Sequence, residues 1–472
     1  MGGNQVNSLI VGVECSTSSP LVEADMDSEQ NICTFRGRLG RCHRPIEGDG
    51  LCVMHLPKIS SKEIDRLEPR ERALAEDRTR KFSEELKILA EHAPDLASFE
   101  GFRFPAIQAD YDSAIETILE FGSSAHLFHN CVFEDDVELL VVDFANVSFQ
   151  ASTFKGKAYF NGSTFNHKAD FSRVHFCQGV QFEGVKFLQG GIFVATCFDG
   201  AVTFDGAAIA DRLHFASELQ GPCFYDAASF RGLSLESGAM VIFENLSLAR
   251  TSFVHTDLED ICFRNVRWYA AGSRSKALAD EFEPDYQRPS MMELLDRNYR
   301  QLVLNYESTR DFGMAEHFHV GEMEVRRKAI ATSSPTGWKR ALRGWCNVYN
   351  IYRIASKYGT SYWRALGVLS VLACVCAGLF LLAGFKRSDA EATRFIRYTL
   401  LPRAGYERAS LAKIGHDYSE AVGFVLTILT FQKDRYYEPV GVASHLLMSG
   451  AVIIFAGQSA LVLLAIRRKF RR

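Results

Sequence analysis

The stretch ADFSRVHFCQGVQFEGVKFLQGGIFVATCFDGAVTF, residues 169–204, decides the fold. Its phenylalanines fall at Phe171, Phe176, Phe182, Phe187, Phe193, Phe198 and Phe204, in alternating steps of five and six, so the period is eleven. The ladder runs back through Phe165, Phe160 and Phe154 to a start near Phe133, and forward through Ile209 to Phe215. Neither regular structure explains it. Five residues along a helix rotate a side chain off its face, and an odd step along a strand flips it to the other side. A coil with four short sides does explain it, each side pointing one large residue inward. Two residues before each ring stands a small or β-branched residue, among them Ala158, Ser163, Ala169, Val174, Val180, Val185, Thr196 and Val202, sized to fill the corner beside it. A short fixed period of this kind signals a solenoid whose coils bury their core only against one another.

The segments ADFSRVHF, VQFEGVKF and VTFDGAAI resemble pentapeptide-repeat proteins, in the variety with eleven-residue double repeats, over roughly residues 130–269. The resemblance implies a right-handed quadrilateral β-helix with about 22 residues per coil; about six coils at ~4.8 Å between stacked strands make a rod of roughly 30 Å. The ladder breaks between Phe215 and Phe230 and between Leu235 and Phe243, where a loop or kink is expected. It resumes as Leu248, Phe253, Leu258, Phe263 and Trp268, in strict steps of five.

The rest of the 472 residues is organised around this rod. Net charge is −4 with 23% charged residues, which excludes a polycation for nucleic acid and a disordered acidic chain. Twelve cysteines are scattered without a dense framework, and MGGNQVNSLIVGVEC lacks the basic and apolar regions of a signal peptide. The N-terminal part is therefore expected to be cytosolic, with reduced thiols. Residues 60–92 read as a charged, solvated linker helix, with a Ser60/Glu63 capping box, an interruption at Pro69 and a short stripe of Phe82, Leu86 and Leu89. Residues 299–329 carry two helical stripes, Leu302 with Tyr306 and Phe312 with Ala315 and Phe318; they resemble one tetratricopeptide-type helical hairpin, expected to cap the solenoid.

Two uncharged runs, 365–385 and 440–466, are each long enough to cross a bilayer. Lys, Arg, Trp and Tyr crowd residues 326–364, and the chain ends RRKFRR; both place the termini on the cytoplasmic side of a bacterial inner membrane. A third uncharged run, 421–432, is too short to span and suits a re-entrant helix. Span, short helix, span, with TILTFQKDRYYEP at 427–439, resembles two-transmembrane pore-loop ion channels of the potassium type. The resemblance puts Thr427 and Thr430 at pore-helix threonine positions and Pro439 at the later proline. Phe431, Gln432, Lys433 and Asp434 stand where that family has Gly-Tyr-Gly, so the glycines that present backbone carbonyls to a dehydrated ion are missing. It also implies a homo-oligomer, a tetramer. Gln458 is a candidate for pore lining or an inter-subunit hydrogen bond, and His445 suits the headgroup region.

Cys33, Cys42, Cys52 and His55 offer a tetrahedral Cys3His set for a structural Zn2+, with glycines for the turns between ligands. RCHRPIEGDGLCVMH resembles short zinc modules of the plant WRC type. Arg36, Arg38, Arg41 and Arg44 make it basic, which leaves nucleic acid open as a partner and equally fits a solvated surface.

The expected fold class is multidomain: a quadrilateral β-helix, a helical hairpin and a two-span α-helical membrane domain. The order is a flexible tail (1–30), a zinc module (31–58), a helical linker leading into the solenoid (60–125), the repeat (126–270), the hairpin (275–335), a basic juxtamembrane segment (336–364) and the pore-loop domain (365–472). The leading functional reading is a channel-like membrane protein on a sensory or scaffolding platform that meets the lipid bilayer and a cytoplasmic protein partner. A non-conducting membrane-anchored scaffold is the alternative. A DNA mimic acting on topoisomerase fits poorly, since residues 125–270 carry only 17 acids against 10 bases. No nucleophile–base setting or phosphate-binding glycine loop marks an enzyme.

Overall fold

The computed structural model of the chain describes residues 32–37, 40–92, 99–105, 107–108, 126–218, 223–272, 274–284, 288–332, 347–388, 393–398, 411–432 and 436–470. Short strands, most of two residues, stack between Arg103 and Arg264 into four parallel sheets, two of seven strands and two of five. Phe154 lies in register between Phe133 and Phe176, and Phe165 between Phe144 and Phe187. The result is a β-solenoid of about six turns. Each side carries its own column of rings: Phe133 and Phe154 stack at 4.3 Å, Phe160 and Phe182 at 5.0 Å, Phe165 and Phe187 at 5.0 Å, Phe171 and Phe193 at 4.9 Å. Rings in neighbouring columns meet edge to face, as Phe160 meets Phe171. That geometry favours aromatic quadrupoles beyond simple area burial. The small residues two places earlier are buried beside them. Where they are polar they bond to the previous coil: Ser163 Oγ donates to the Leu139 carbonyl and Thr196 Oγ1 to that of Phe171. Gly190 has φ +74°, and a Cβ there would stand 2.0 Å from the Arg212 carbonyl of the next coil.

The predicted breaks are loops that leave the columns intact. Phe204 stacks on Phe230, and Phe215 on Phe243, although each pair is separated by more than two full periods of eleven. After each break the next ring returns to its column. Phe243 then stacks on Phe263, four steps of five further along the chain. The columns also start earlier than Phe133. Strands Arg103–Phe104 and Ile107–Gln108 form the first rung, and Phe104 stacks on Phe133 at 5.0 Å. The chain between Phe104 and Phe133 is longer than a regular coil, which hides the first ring from a search for the period.

Both ends of the rod are covered. Ser60 caps a single helical turn, α1 (Ser61–Ile64), and Pro69 opens α2 (Pro69–His92). The expectation of a solvated linker is overturned: Phe82 and Leu86 are buried, and Phe82 meets Phe104 edge to face at 5.5 Å. At the other end lie α3 (Pro289–Ser308) and α4 (Phe312–Thr332). Tyr306 and Phe318 stack on each other, and Trp268, the last ring of the ladder, donates its Nε1–H to the Tyr306 hydroxyl at 3.1 Å. One face of α3 replaces the missing next coil. Asn298 donates to the Phe253 carbonyl, and Asn305 to those of Leu258 and Ile261. These side chains pair backbone groups that an open sheet end would leave exposed. One hydrophobic core runs without interruption from Cys33 to Val325.

Beyond it come α5 (Val348–Ser356), α6 (Tyr362–Ala383), α7 (Leu411–Leu429) and α8 (Gly441–Lys469). α6 and α8 are long and apolar enough to cross a membrane. Strands 385–388, 393–396 and 437–439 form a small antiparallel sheet at the far end of α6.

Removing one ring breaks a column and leaves a cavity, so Phe182→Ala is expected to cost about 3–5 kcal/mol in solenoid unfolding, measured by denaturant titration. A second expectation concerns Asp280, buried at the closed end, where it accepts from the Phe253 N–H. Burial pushes its carboxyl from 3.8 up to about 6. The native state therefore holds more protons than the unfolded chain across that window, and stability falls as pH rises through it. Asp280→Asn should raise the melting temperature near pH 7 and leave it unchanged at pH ~4.

Candidate functional site

The N-terminal cysteines converge. The antiparallel pair Arg36–Gly37 and Gly40–Arg41 folds the chain back, so that the Cys42 N–H reaches the Phe35 carbonyl and the Cys33 N–H that of Arg44. A second turn, with Asp49 and Gly50 both at positive φ, returns the chain to Cys52, and a helical turn brings His55 alongside. The donor atoms of Cys33, Cys42, Cys52 and His55 lie within 4.8 Å of one another. His55 Nδ1 is 3.1 Å from Cys52 Sγ and 3.5 Å from Cys33 Sγ, and the Cys42 and Cys52 sulfurs are 3.9 Å apart. Nε2 of His55 lies 3.2 Å from the Glu100 carbonyl, which leaves Nδ1 as the nitrogen facing the sulfurs. Phe35 stacks on the imidazole at 3.9 Å. Its ring fills the place where a Cβ on Gly101 would stand, 2.2 Å away. The Cys42 thiol is pushed down to about 3 by its hydrogen bond with Cys52, and that same bond pushes Cys52 up. Three sulfurs and one oriented nitrogen, with Cys33, Cys52 and His55 buried, fit a tetrahedral structural zinc.

The cluster does not stand alone. Cys33, Cys52 and Met54 belong to the solenoid core, and Lys58 packs its ammonium 4.4 Å from the centre of the Phe82 ring. The cysteine loop, α2 and the first rung therefore form one packed end.

The second candidate region lies between the two apolar helices. α7 begins at Leu411, well before the uncharged run, so the expected short apolar helix is corrected to a longer amphipathic one. It tolerates Asp417 and Glu420 because each carboxylate is paired. Asp417 takes Arg394 and the Tyr398 hydroxyl, both at 2.6 Å; Glu420 takes Arg387 at 2.6 Å and the Tyr437 hydroxyl at 2.5 Å. Further along, Phe424 packs among Phe380, Phe385 and Tyr437, and Ala421, Val425 and Ile428 share a buried cluster with Ala451 and Phe455 of α8. The helix stops at Leu429. The hydroxyls of Thr427 and Thr430 bond back to the carbonyls of Phe424 and Leu426. Phe431, exposed, turns the chain with φ +54°, and the Gln432 N–H reaches the Thr427 carbonyl. Pro439 then pairs with Phe385 in the small sheet. Lys433 and Asp434 lie outside the described residues.

Gln458 is held within the chain. Its amide nitrogen donates to the Ala355 and Ala365 carbonyls at 3.0 and 2.8 Å, tying α8 to α5 and α6. The sequence suggested an inter-subunit bond or pore lining; both amide hydrogens instead find partners inside one subunit. His445 is exposed near the start of α8.

A third feature escaped the sequence reading. Lys357, Tyr358 and Gly359 all take positive φ between α5 and α6. Tyr358 is fully buried; its hydroxyl donates to Glu324 of α4 at 2.9 Å, and its carbonyl accepts from Arg468 at the end of α8 at 3.0 Å. Arg327 and Arg353 complete the ring around Glu324. The only sequence signals were the KYG triplet and two glutamates, Glu322 and Glu324, just before a pair of arginines, and neither is specific.

Residues 125–175 match the family described as pentapeptide repeats (9 copies). Searches of curated proteins and of solved structures find no match. The repeat reading of the rod is thus supported over its first coils, and the columns of the structure carry the same pattern through Phe263.

Full-length protein is expected to hold one metal equivalent in the N-terminal cluster that Cys52→Ser abolishes. Retention should weaken as pH is lowered, since the sulfurs bind only as thiolates. Equal metal content in both chains, by elemental analysis, would refute the site.

Proposed function

We propose that the chain is an oligomeric integral membrane protein: a two-span, pore-loop, channel-like module carried on a cytosolic pentapeptide-repeat platform. The observation that supports it most directly is the path between the spans. α7 packs against α6 and α8, ends at Leu429 beside α8, and the chain returns through a left-handed turn at Phe431 to the sheet at the end of α6. A segment that enters a helical bundle from one side and leaves on the same side is what a pore loop requires. A two-span subunit cannot enclose a pore alone, so several copies, four by the resemblance, assemble around it. Both termini lie in the cytoplasm, given the basic residues at 467–472.

The platform meets the membrane part through Glu324, Tyr358 and Arg468. The helix pair α3–α4 acts as the cap of the rod, and strain or displacement of the rod reaches the last span through that ring of contacts. The zinc is structural: it closes the N-terminal end so that the first coil has something to stack on.

A non-conducting scaffold is the second reading. It is favoured by the missing glycines at 431–434 and by threonine hydroxyls already engaged on their own helix.

Purified protein in planar bilayers is expected to pass ion currents that Thr430→Ala and Phe431→Gly alter. Glu324→Gln is expected to change open probability while unitary conductance stays the same. Absence of current from a protein that runs as a monomer in detergent would overturn the channel reading in favour of the scaffold.

A further inference from the structure

The outer wall of the solenoid carries a second group of metal-binding side chains. In parallel register His175 stands opposite Cys197, with Phe176 opposite Phe198 in the core between the coils. Residues on either side of an inward ring point outward, and adjacent rungs lie about 4.8 Å apart. His175, Cys177, Cys197 and Asp199 therefore form a two-by-two patch on the surface. The contacts bear this out. His175 Nε2 is 2.7 Å from Asp199 Oδ2, the Cys197 thiol donates to Asp199 Oδ1 at 3.3 Å, and Cys177 Sγ lies 3.9 Å from His175 Nδ1. One ligand atom each of His175, Cys197 and Asp199 falls within a 4.8 Å group. Cys177 sits on the other ring nitrogen, outside that group.

Nothing in the repeat demands these residues. The inward ring and the small corner residue satisfy the coil, and outward positions are free. On the preceding rung the same two outward places hold Thr153 and Lys155, neither a metal ligand, with Lys155 paired to Glu134. Cysteine is normally among the most buried residue types, and Cys131 and Cys223 of this chain are indeed buried. Two partly exposed cysteines flanking a histidine and an aspartate on adjacent rungs depart from that pattern.

We propose that His175, Cys197 and Asp199 bind a thiophilic divalent cation of the zinc class on the outer wall of the platform, with water completing the coordination. One sulfur, one imidazole nitrogen and one carboxylate oxygen, with an open fourth position, form a donor set that tetrahedral zinc accepts. The side chains of His175 and Asp199 are 44% and 43% exposed, so the ion would exchange with solvent, in contrast to the N-terminal cluster. It would bridge two coils through side chains alone. This site is independent of the zinc module and of the channel reading.

The test is a Co2+ titration, under reducing conditions, of the full-length chain carrying Cys33→Ser, Cys42→Ser and Cys52→Ser, which removes every thiolate of the N-terminal cluster. The expected result is a thiolate-to-cobalt charge-transfer band in the near ultraviolet that saturates at about one equivalent. Adding Cys197→Ser should remove the band, Cys177→Ser should leave it in place, and Asp199→Asn should weaken binding about tenfold or more. These positions are on the surface, so far-ultraviolet circular dichroism should not change. If that triple variant does not fold, the titration is run on wild type after a brief chelator wash that strips exchangeable zinc and spares the N-terminal cluster. No band, or a band that survives Cys197→Ser, would overturn the proposal.

Discussion

The coils are held together by columns of inward side chains, mostly rings lying on the ring below with Ile209 and Leu235 continuing one column, at the spacing that backbone hydrogen bonds between parallel strands impose. Centroid separations of 4.3 to 5.2 Å along the regular coils from Phe133 to Phe204 lie close to the rung spacing, so the aromatic contacts and the backbone ladder reinforce each other. Two consequences follow. The chain is free to insert residues wherever the next inward position can still be reached, as it does between Phe215 and Phe243. And every outward position is released from the fold, which is how a patch such as His175, Cys177, Cys197 and Asp199 can exist on the wall without disturbing the core.

A stacked rod has two ends that cannot stack, and much of the remaining architecture answers that problem. At the N-terminal end the answer is apolar: Phe82 and Leu86 of α2, with Phe35 over the imidazole of His55, cover the first rung. At the C-terminal end aromatic and polar contacts combine: Tyr306 stacks on Phe263 and Phe318 meets Trp268 edge to face. Asn298, Gln301 and Asn305 lie along one face of α3 and meet backbone or side-chain groups of the last coil. Both ends bury rings, and at the C-terminal end α3 also pairs backbone carbonyls of the last coil. The same principle extends to the apolar helices, where Gln458 satisfies the carbonyls of Ala355 and Ala365 and so joins three helices.

The periodic parts were legible because a short repeat writes its contacts into a single local rule. The rings from Phe154 to Phe204 all occupy the core, and the two long apolar helices stand out by length and absence of charge. What was not legible depends on pairing across long stretches of chain. α2 reads as solvated because its apolar stripe is only Phe82, Leu86 and Leu89; what they cover lies beyond residue 98. α7 reads as a short apolar run because Asp417 and Glu420 argue against burial until Arg387, Arg394 and their tyrosines are placed beside them. Gln458 looked like a group in search of a partner because its partners are far away in sequence, on α5 and α6.

From the amino-acid order alone came the period of eleven, the inward columns, the two long apolar segments and the identity of the four N-terminal candidate ligands. Each is a local pattern whose meaning depends on side-chain size, spacing and polarity. Only the tertiary structure decided that the rod begins at Phe104, that helices seal both ends, that the Glu324–Tyr358–Arg468 contacts join the capped rod to the apolar helices, and that two outward cysteines share a patch with a histidine and an aspartate. Those features arise from closure in space, where residues far apart in the chain become neighbours, and no local pattern carries that information.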